Sequence, residues 1–236
     1  MIPKNIRRLL PQVQKPARYT GGEVNAIMKD LSSIDVRVAL AFPDTYEVGM
    51  SHLGLKILYK VINDIPYAYA ERVFAPWVDM GELMQAEGVS LFSLETYTPL
   101  LDFDMIGFTL QYELSYTNIL YMLDLAQIPF LTHQRAENDP LIIAGGPCAF
   151  NAEPLSEILD AVALGEGEEV TQEIVAVLRE RKLQNLSRQE TLRRLALVPG
   201  VYIPSFYSPE YNGDETLKAL RTSLTETSGV VKKRIL

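Results

Sequence analysis

From residue 34 onward, short apolar runs alternate with amphipathic stretches along the chain. The first run, VRVALAF at residues 36–42, is almost uninterrupted, as expected for a strand whose two faces are both covered. Further strand-like runs occur at residues 69–74, 91–94, 105–110, 141–146 and 161–165. The run at 91–94 is the shortest, and the other five predict an α/β domain with a mainly parallel, five-stranded sheet.

Helices with a 3.6-residue period are predicted between the strands. They cover residues 52–63, 78–87, 115–126 and 168–181. A further helix is predicted from SRQETLRRLALV, with Ser187 as its N-cap and Glu190 in the capping-box position. Strands alternating with helices in this way predict a doubly wound sheet, with helices on both of its faces.

The pattern changes at both ends of this alternating region. Residues 1–33 are predicted to be an N-terminal arm with a short helix at 5–10, which packs on the core or else has a binding role. Residues 34–182 form the predicted α/β domain. Residues 183–236 are predicted to be a small α+β extension, because VYIPSFY indicates short strands without the periodicity of a core. The extended ending VVKKRIL suggests a linker toward a further domain.

Composition narrows the class of protein. The 236 residues carry a net charge of −8, which argues against binding to a nucleic-acid backbone, because such binding needs clustered Lys and Arg. No apolar run approaches the roughly 18 residues that span a bilayer. MIPKNIRRLL lacks the pattern of a signal peptide, so a cytoplasmic location is predicted. The single cysteine excludes an intrachain disulfide and a CxxC metal site.

Ligands of an open α/β sheet bind beyond the carboxyl ends of the strands, where the strand order reverses. Four predicted loops meet at that edge, at residues 43–52, 111–115, 145–150 and 165–169. Gly145 and Gly146 indicate either the close approach of a ligand or backbone segment, or only a tight turn. GEGEEV lacks the third glycine of a dinucleotide fingerprint, and its glutamates would repel a pyrophosphate. NAD or FAD binding is therefore not expected, and the glutamates instead stabilise the start of the next helix.

Reactive side chains form no recognisable catalytic pair or metal site. His52 and His133 lack ligand spacing, and a polar role at a helix start is favoured for His52. Asp44 and Glu47 share one loop, but nothing in the sequence indicates perturbed pKa values, so solvated carboxylates are favoured. Cys148 has no neighbouring His or positive field and is expected to be a partly buried spectator. No catalytic residue and no metal ligand is predicted.

Several long blocks of the chain resemble a known family. The block IIAGGPCAFNAEPLSEILDAVALGEGEE, residues 142–169, is similar to the GGP…D…GEGE signature of the cobalamin-binding-type domain that precedes many radical SAM domains. The blocks ALAFPDTYEVGMSHLGLKILYKVIN, RVFAPWVDM and IGFTLQYELSYTNIL resemble a narrower group, uncharacterised radical SAM proteins with an N-terminal cobalamin-binding-like domain. The similarity runs from about residue 10 to residue 208, and its specificity lies in the ordered set of blocks.

The resemblance implies a cobalamin-binding or flavodoxin-like doubly wound fold. It also implies a [4Fe-4S] cluster and S-adenosylmethionine in the full-length protein. That cluster needs a CxxxCxxC motif, whereas this chain has only Cys148, so the cluster is expected in a radical SAM domain beyond this segment. The implied partners are that domain and a substrate which the sequence does not identify. Neither a nucleic acid nor a membrane is expected as a partner.

The resemblance also directs attention to DTYEVG, residues 44–49. Cobalamin domains that ligate cobalt carry DxHxxG here, and Tyr46 stands in place of that histidine as a poorer ligand. Cobalamin could bind without a protein ligand, or the domain could be a cofactor-free scaffold or a module that contacts the radical SAM domain or the substrate. The candidate cofactor-binding residues are Asp44, Tyr46, Gly49, His52, Thr109, Gln111, Gly145, Gly146, Gly165 and Glu166. A free-standing enzyme that uses Asp44, Glu47 or Cys148 is the least favoured hypothesis.

Overall fold

The computed structural model describes residues 1–224 and 229–235. Its main sheet contains β1 (Val36–Phe42), β2 (Ala68–Phe74), β3 (Met105–Thr109), β4 (Leu141–Gly145), β5 (Ala161–Ala163) and β6 (Val201–Tyr202). The strands lie in the order β2-β1-β3-β4-β5-β6. The first five are parallel, and β6 pairs antiparallel with β5. The order 2-1-3-4-5 is that of the flavodoxin-like doubly wound fold, which confirms the predicted fold class.

Helices cover both faces of this sheet. The α-helices are α1 (Lys4–Arg7), α2 (Tyr46–Ser51), α3 (Leu53–Asn63), α4 (Val78–Glu87), α5 (Tyr116–Leu125), α6 (Gly167–Gln184) and α7 (Arg188–Ala196). Short 3-10 helices lie at Leu10–Gln12, Pro16–Tyr19, Leu31–Ser33, Leu100–Asp102, Glu113–Ser115, Thr132–Gln134, Pro147–Asn151, Glu153–Leu155 and Pro204–Phe206. A separate antiparallel hairpin consists of β7 (Tyr207–Tyr211) and β8 (Leu217–Thr222).

The alternation of side chains along the strands divides the core into two layers. In β1, Val38 and Leu40 face the layer formed with α3 and α6, whereas Ala39 and Ala41 face the layer formed with α4 and α5. Both sets are buried, which explains why β1 is an almost uninterrupted apolar run, broken only by Arg37. Periodicity predicted β1 and α4 with the bounds that the structure has.

Three sequence predictions were wrong in detail. Residues 91–94 form an isolated bridge between Phe92 and Pro99 rather than a strand. Within the predicted polar loop at 43–52, Tyr46–Ser51 is helical. The extension does contribute to the core, since Val201, Ile203 and Phe206 are buried against α6 and α7 and β6 joins the sheet. A short run with proline has no periodicity to reveal this burial, because it completes a core that other elements have formed.

Both ends of the chain pack on the central domain, although the domain boundaries at residues 33 and 182 stay predictions. In the arm, Ile6, Leu9 and Tyr19 are buried in the α4–α5 layer, which confirms that the arm packs on the core. At the other end, Ser187 Oγ accepts a hydrogen bond from Glu190 N, 3.1 Å away, which confirms the predicted cap of α7. Among the described residues, no helix is long and apolar enough to cross a bilayer.

Candidate functional site

A cleft of about 320 Å³ opens on one face of the sheet, between α3 and α6. Its floor is formed by β1, β3 and β4, and β1 and β3 are the strands between which the strand order reverses. The residues that line it are Leu40, His52, Gly54, Leu55, Ile57, Leu58, Met105, Gly107, Phe108, Thr109, Gln111, Ile143, Ala144, Gly145, Gly146, Pro147, Ala163, Gly165, Gly167, Glu168, Thr171 and Ile174. The cleft therefore lies where the topology of the fold predicts a ligand.

Small residues create this cleft. Gly107 is a glycine inside β3, and a Cβ there would lie 3.1 Å from Met105 Cε. Gly145 ends β4 and has room for a Cβ, which would lie 3.6 Å from the backbone oxygen of Ala163. At the first turn of α6, a Cβ on Gly167 would lie 3.1 Å from Leu58 Cδ2, so this glycine lets α6 approach α3. The floor is low because these strand positions carry little or no side chain.

Six of the ten candidate residues line the cleft. They are His52, Thr109, Gln111, Gly145, Gly146 and Gly165. Gly54, Gly107, Gly167 and Thr171 also line it and were missed by the sequence analysis. Gly107 had a usable signal, because a glycine in the middle of a strand marks close approach of another group. The glycines at 54 and 167 had none, because their effect depends on how α3 and α6 pack.

His52 is fixed at the start of α3. Its Nδ1 accepts a hydrogen bond from Leu55 N at 3.1 Å, so it caps the helix, as the sequence predicted. Because Nδ1 is the acceptor, the neutral ring carries its proton on Nε2. The ring also contacts Phe42, with ring centroids 5.2 Å apart. His52 thus forms a polar part of the cleft wall whose orientation is set by the backbone.

The turn after β4 is held against the end of β3. Gly146 has φ +109°, and a Cβ there would lie 2.9 Å from the backbone oxygen of Leu110. Leu110 N donates to Gly145 O at 2.7 Å, and Cys148 N donates to Leu110 O at 3.0 Å. Here the close partner of Gly146 is another backbone segment. This pairing brings Thr109 and Gln111 to the rim of the cleft, where Gln111 Nε2 donates to Thr109 Oγ1.

Cys148 lies in the same turn, and its side chain is in the thiol form. Its Sγ donates to the backbone oxygen of Gln111 at 3.3 Å. Burial raises the pKa of the Cys148 thiol, and the nearby Glu113 carboxylate raises it further. A raised pKa disfavours the thiolate that a nucleophile requires, which agrees with the predicted spectator role.

Tyr46 points away from the cleft. Its hydroxyl donates to Oε1 of Glu23 in the N-terminal arm at 3.2 Å, and its ring packs edge-on against Phe74. Burial raises the pKa of the Tyr46 phenol, and the Glu23 carboxylate raises it further, so the phenol stays neutral. A neutral phenol engaged with Glu23 is not a ligand for a group bound in the cleft.

Asp44, Gly49 and Glu166 also lie outside the cleft lining. Asp44 Oδ2 accepts a hydrogen bond from the Tyr112 hydroxyl at 3.0 Å. Gly49 allows α2 to pack on Phe74, because a Cβ at this position would overlap the phenyl ring. The backbone N of Glu166 donates to the backbone oxygen of Arg234 at 3.2 Å. These residues hold the loops around the cleft in place.

The GEGEE loop is fixed by residues near the end of the chain. Gly165 has φ +101° and pairs in parallel with Arg234. The guanidinium of Arg234 lies 2.7 Å from Glu169 and 2.6 Å from Glu173, both on α6. Glu168 and Glu169 occupy the first turn of α6, where carboxylates interact favourably with the helix dipole, as predicted.

The charge of the lining limits what the cleft can bind. Glu168 is the one carboxylate among the lining residues in the described part of the chain, and neither Lys nor Arg is among them. The floor and walls are largely apolar, while Thr109 and Gln111 supply polar atoms at the rim. The described residues contain no group of three or more His, Cys, Asp or Glu side chains that could hold a metal ion. The chemistry of the lining therefore suits an apolar group with polar atoms near Thr109 and Gln111.

Comparison with known proteins identifies a family whose model matches this chain. A family model described as "Radical SAM proteins, N-terminal" matches residues 54–204. This stretch contains α3 except for Leu53, all of α6 and five of the six strands of the main sheet. The strand β1 and the residues Asp44, Tyr46 and His52 lie outside it. An uncharacterised protein of Methanocaldococcus jannaschii is 27% identical over 132 residues, which are 55% of this chain and 23% of that relative. No solved structure shows a significant match.

Proposed function

We infer the function from the fact that the chain belongs to the N-terminal family of radical SAM proteins. We propose that it is the N-terminal, cobalamin-binding domain of a radical SAM enzyme and that cobalamin binds in the cleft between α3 and α6. A following radical SAM domain would carry the [4Fe-4S] cluster and S-adenosylmethionine, and the substrate is not specified by this chain.

The single observation that supports cobalamin is the cleft itself. It lies at the reversal of the strand order, is about 320 Å³ in volume, and has the small residues Gly107, Ala144 and Gly145 in a largely apolar floor. Cobalamin carries a nucleotide tail with a flat base, and an apolar slot between two helices suits such a base. The slot carries no cationic side chain among its described lining residues, so the phosphate of the tail would stay at the solvent-facing rim.

The chain's own residues would position and shield the tail. Gly107 and Gly145 leave the space for the base, and Thr109 and Gln111 offer a hydroxyl and an amide at the rim. His52 is held by its cap to Leu55 and would present Nε2–H to the bound group. Bound cobalamin would supply a redox-active cobalt atom to the neighbouring radical SAM domain. None of these side chains is proposed to ligate that cobalt.

A cofactor-free scaffold is the second candidate function, and the orientation of Tyr46 favours it. Tyr46 replaces the histidine of the cobalt-ligating motif and donates to Glu23 instead of facing the cleft. In this case the domain would support the radical SAM domain or hold its substrate, without a cofactor. The two candidates differ in one measurable property, which is retention of cobalamin.

The test is a binding measurement with hydroxocobalamin. The protein is mixed with hydroxocobalamin and passed through a gel-filtration column, and the visible absorption of the protein peak is recorded. We expect the wild type to retain the cobalamin spectrum. Gly145→Leu should lose it, because the added side chain would occupy the cleft. The φ of Gly145 is not positive, so the backbone there accepts a leucine. The control is Gly213→Leu, since a Cβ at Gly213 meets no atom within 4 Å. A colourless wild-type peak would exclude cobalamin and leave the scaffold.

A further inference from the structure

The β7–β8 hairpin has two faces of different character. The strand register places Pro209 opposite Leu220, and Tyr211 opposite Leu217 after a bulge. These four residues, with Tyr207 at the base, form an apolar face. The other face carries Ser208 opposite Arg221 and Glu210 opposite Ala219.

The charged side chains on the polar face form ion pairs with one another. Glu210 lies 3.0 Å from the guanidinium of Arg221 and 3.6 Å from Lys218 Nζ. The hydrogen bond from Arg221, although opposed by slight burial, lowers the pKa of the Glu210 carboxyl, so the pair is charged at neutral pH. A face of this kind is typical of a surface that stays in water.

Within residues 1–224 and 229–235, the base of the apolar face is covered, whereas side chains nearer the tip are exposed. Tyr207 packs against Tyr202 of β6, with ring centroids 4.9 Å apart, and Ser223 N donates to Phe206 O at 2.8 Å. Toward the tip, Tyr211 is 61% exposed, Leu217 60% and Leu220 41%. The base is therefore anchored to the main domain, while large apolar side chains farther out face solvent.

An isolated two-stranded hairpin with an uncovered apolar face is at best marginally stable in water. Three or more strands, or packing against another element, are needed for independent stability. In the described part of the chain, β7 and β8 pair only with each other, and the apolar side chains toward the tip are exposed. Contiguous exposed apolar residues rimmed by charge mark an interaction surface.

We propose that this apolar face is the docking surface for the domain that follows the hairpin in the full-length protein. The proposal rests on the part of the proposed function in which a radical SAM domain lies C-terminal to this one. The matching family is an N-terminal one and its match ends at residue 204, three residues before β7 begins. The alignment with the archaeal relative covers 23% of that protein, so most of that relative lies outside the aligned region.

A second copy of the chain fits this face less well. A stable dimer buries about 800 Å² on each partner, which is more than a few side chains of one hairpin offer. A domain tethered to the same chain needs less area, because the tether gives a high effective concentration. The face therefore suits an intrachain partner with an apolar surface of its own.

The test is photo-crosslinking in the native full-length protein. The photoreactive residue p-benzoylphenylalanine replaces Leu220 in one variant and Arg221 in the other, so that neighbouring positions of β8 probe opposite faces. We expect cross-links from position 220 to peptides C-terminal of residue 236 in the same chain, with a yield about tenfold above that from position 221. Mixing isotopically heavy and light protein shows whether a product lies within one chain.

Every other result overturns the proposal. Cross-links from position 220 to residues 1–235 would mean that the domain covers its own hairpin, and heavy–light products would mean a dimer. Equal yields from both faces, or none from either, would mean that no partner is docked there.

A second measurement, hydrogen exchange, tests the docking surface if a photoreactive variant fails to fold. We expect Tyr211→Ser combined with Leu217→Ser to raise hydrogen exchange of the hairpin amides about tenfold in the full-length protein. Lys218→Ser combined with Arg221→Ser, on the polar side, should leave the exchange within about twofold. Equal exchange in the two double variants would contradict docking. Retention of hydroxocobalamin, measured on the same samples, shows separately whether the proposed function holds.

Discussion

The hydroxyl of Tyr46 donates a hydrogen bond to Oε1 of Glu23, 3.2 Å away, and this bond ties the loop after β1 to the N-terminal arm. The second carboxylate oxygen of Glu23 lies 3.6 Å from the guanidinium of Arg72, which is 1% exposed on the edge strand β2. Tyr46 therefore belongs to a partly buried polar contact among the arm, the loop and the sheet. Tyr46 occupies the histidine position of the DxHxxG-like stretch at residues 44–49, but it does not line the cleft.

Replacing Tyr46 by Phe should lower stability and leave ligand binding unchanged. The ring still packs on Phe74, but the carboxylate of Glu23 loses a donor, at a cost of about 1–2 kcal/mol. Urea denaturation measures the free energy of unfolding, and gel filtration with hydroxocobalamin measures binding. A Tyr46→Phe protein of unchanged stability that no longer binds would show that the phenol faces the ligand.

Glu47 should make stability depend on pH in the acid range. Slight burial opposes ionisation, but hydrogen bonds from Arg18, the backbone of Glu47 and Lys15 lower its pKa from 4.5 to about 2. A lowered folded-state pKa stabilises the fold above pH 4.5, and this stabilisation is lost as the pH falls toward 2. Because the Glu47 side chain is 44% exposed, the effect is only about 0.5 kcal/mol.

The check is a comparison of wild type with Glu47→Gln in urea denaturation at several pH values. The difference in free energy of unfolding should be present at pH 7, shrink between pH 4.5 and pH 2, and weaken in about 1 M salt. A difference that grows as the pH falls would contradict the assignment of these contacts.

Asp160 should be among the side chains most costly to replace. Its Oδ2 accepts hydrogen bonds from Arg135 at 2.9 Å, from Arg188 at 2.7 Å and from Ile142 N at 2.7 Å. Asp160→Asn would leave two buried guanidinium groups without a counter-charge and would loosen α7, at a cost of about 3–5 kcal/mol in urea denaturation.

A matched control for Asp160 is Glu180→Gln. Glu180 pairs with Arg194 at 2.6 Å, but its side chain is 49% exposed, so the loss should stay below about 1 kcal/mol. Equal effects of the two substitutions would mean that the buried ion cluster does not anchor α7.

Gly165→Ala should release the end of the chain from the GEGEE loop. Gly165 has φ +101°, and a Cβ there would overlap the backbone of Arg234. We expect a loss of about 1–3 kcal/mol and faster hydrogen exchange of the Arg234 amide, which donates to Leu164 O at 2.8 Å. Gly213→Ala is the control, because its Cβ meets no atom within 4 Å. Unchanged exchange at Arg234 would contradict this contact.

Periodicity predicted most of the fold, because helices and strands place their apolar residues at different spacings. The run at residues 36–42 became β1, an interior strand between β2 and β3, and the 3.6-residue period at 78–87 became α4. Local capping was also readable, as shown by Ser187 with Glu190 N and by His52 with Leu55 N. These features depend on residues that are neighbours in the chain.

The sequence predicted only part of the candidate site. Strand ends pointed to Thr109, Gln111 and Gly145, because parallel strands bring their carboxyl ends to one edge. The motif-like stretch suggested Asp44 and Tyr46 as well, yet their partners are Tyr112 and Glu23, which are distant in the sequence. A side chain's direction depends on the partner that satisfies it, and no local pattern carries that information.

The sequence by itself determined the α/β class, the order of strands and helices, and the edge of the sheet at which the cleft opens. Tertiary structure alone decided that α3 and α6 approach closely enough to wall a cleft, that Gly165 is paired by Arg234, and that β6 joins the sheet. The physical reason is the range of the interactions. Backbone hydrogen bonding and amphipathicity act over a few residues, whereas packing and ion pairs join residues that meet only once the sheet has formed.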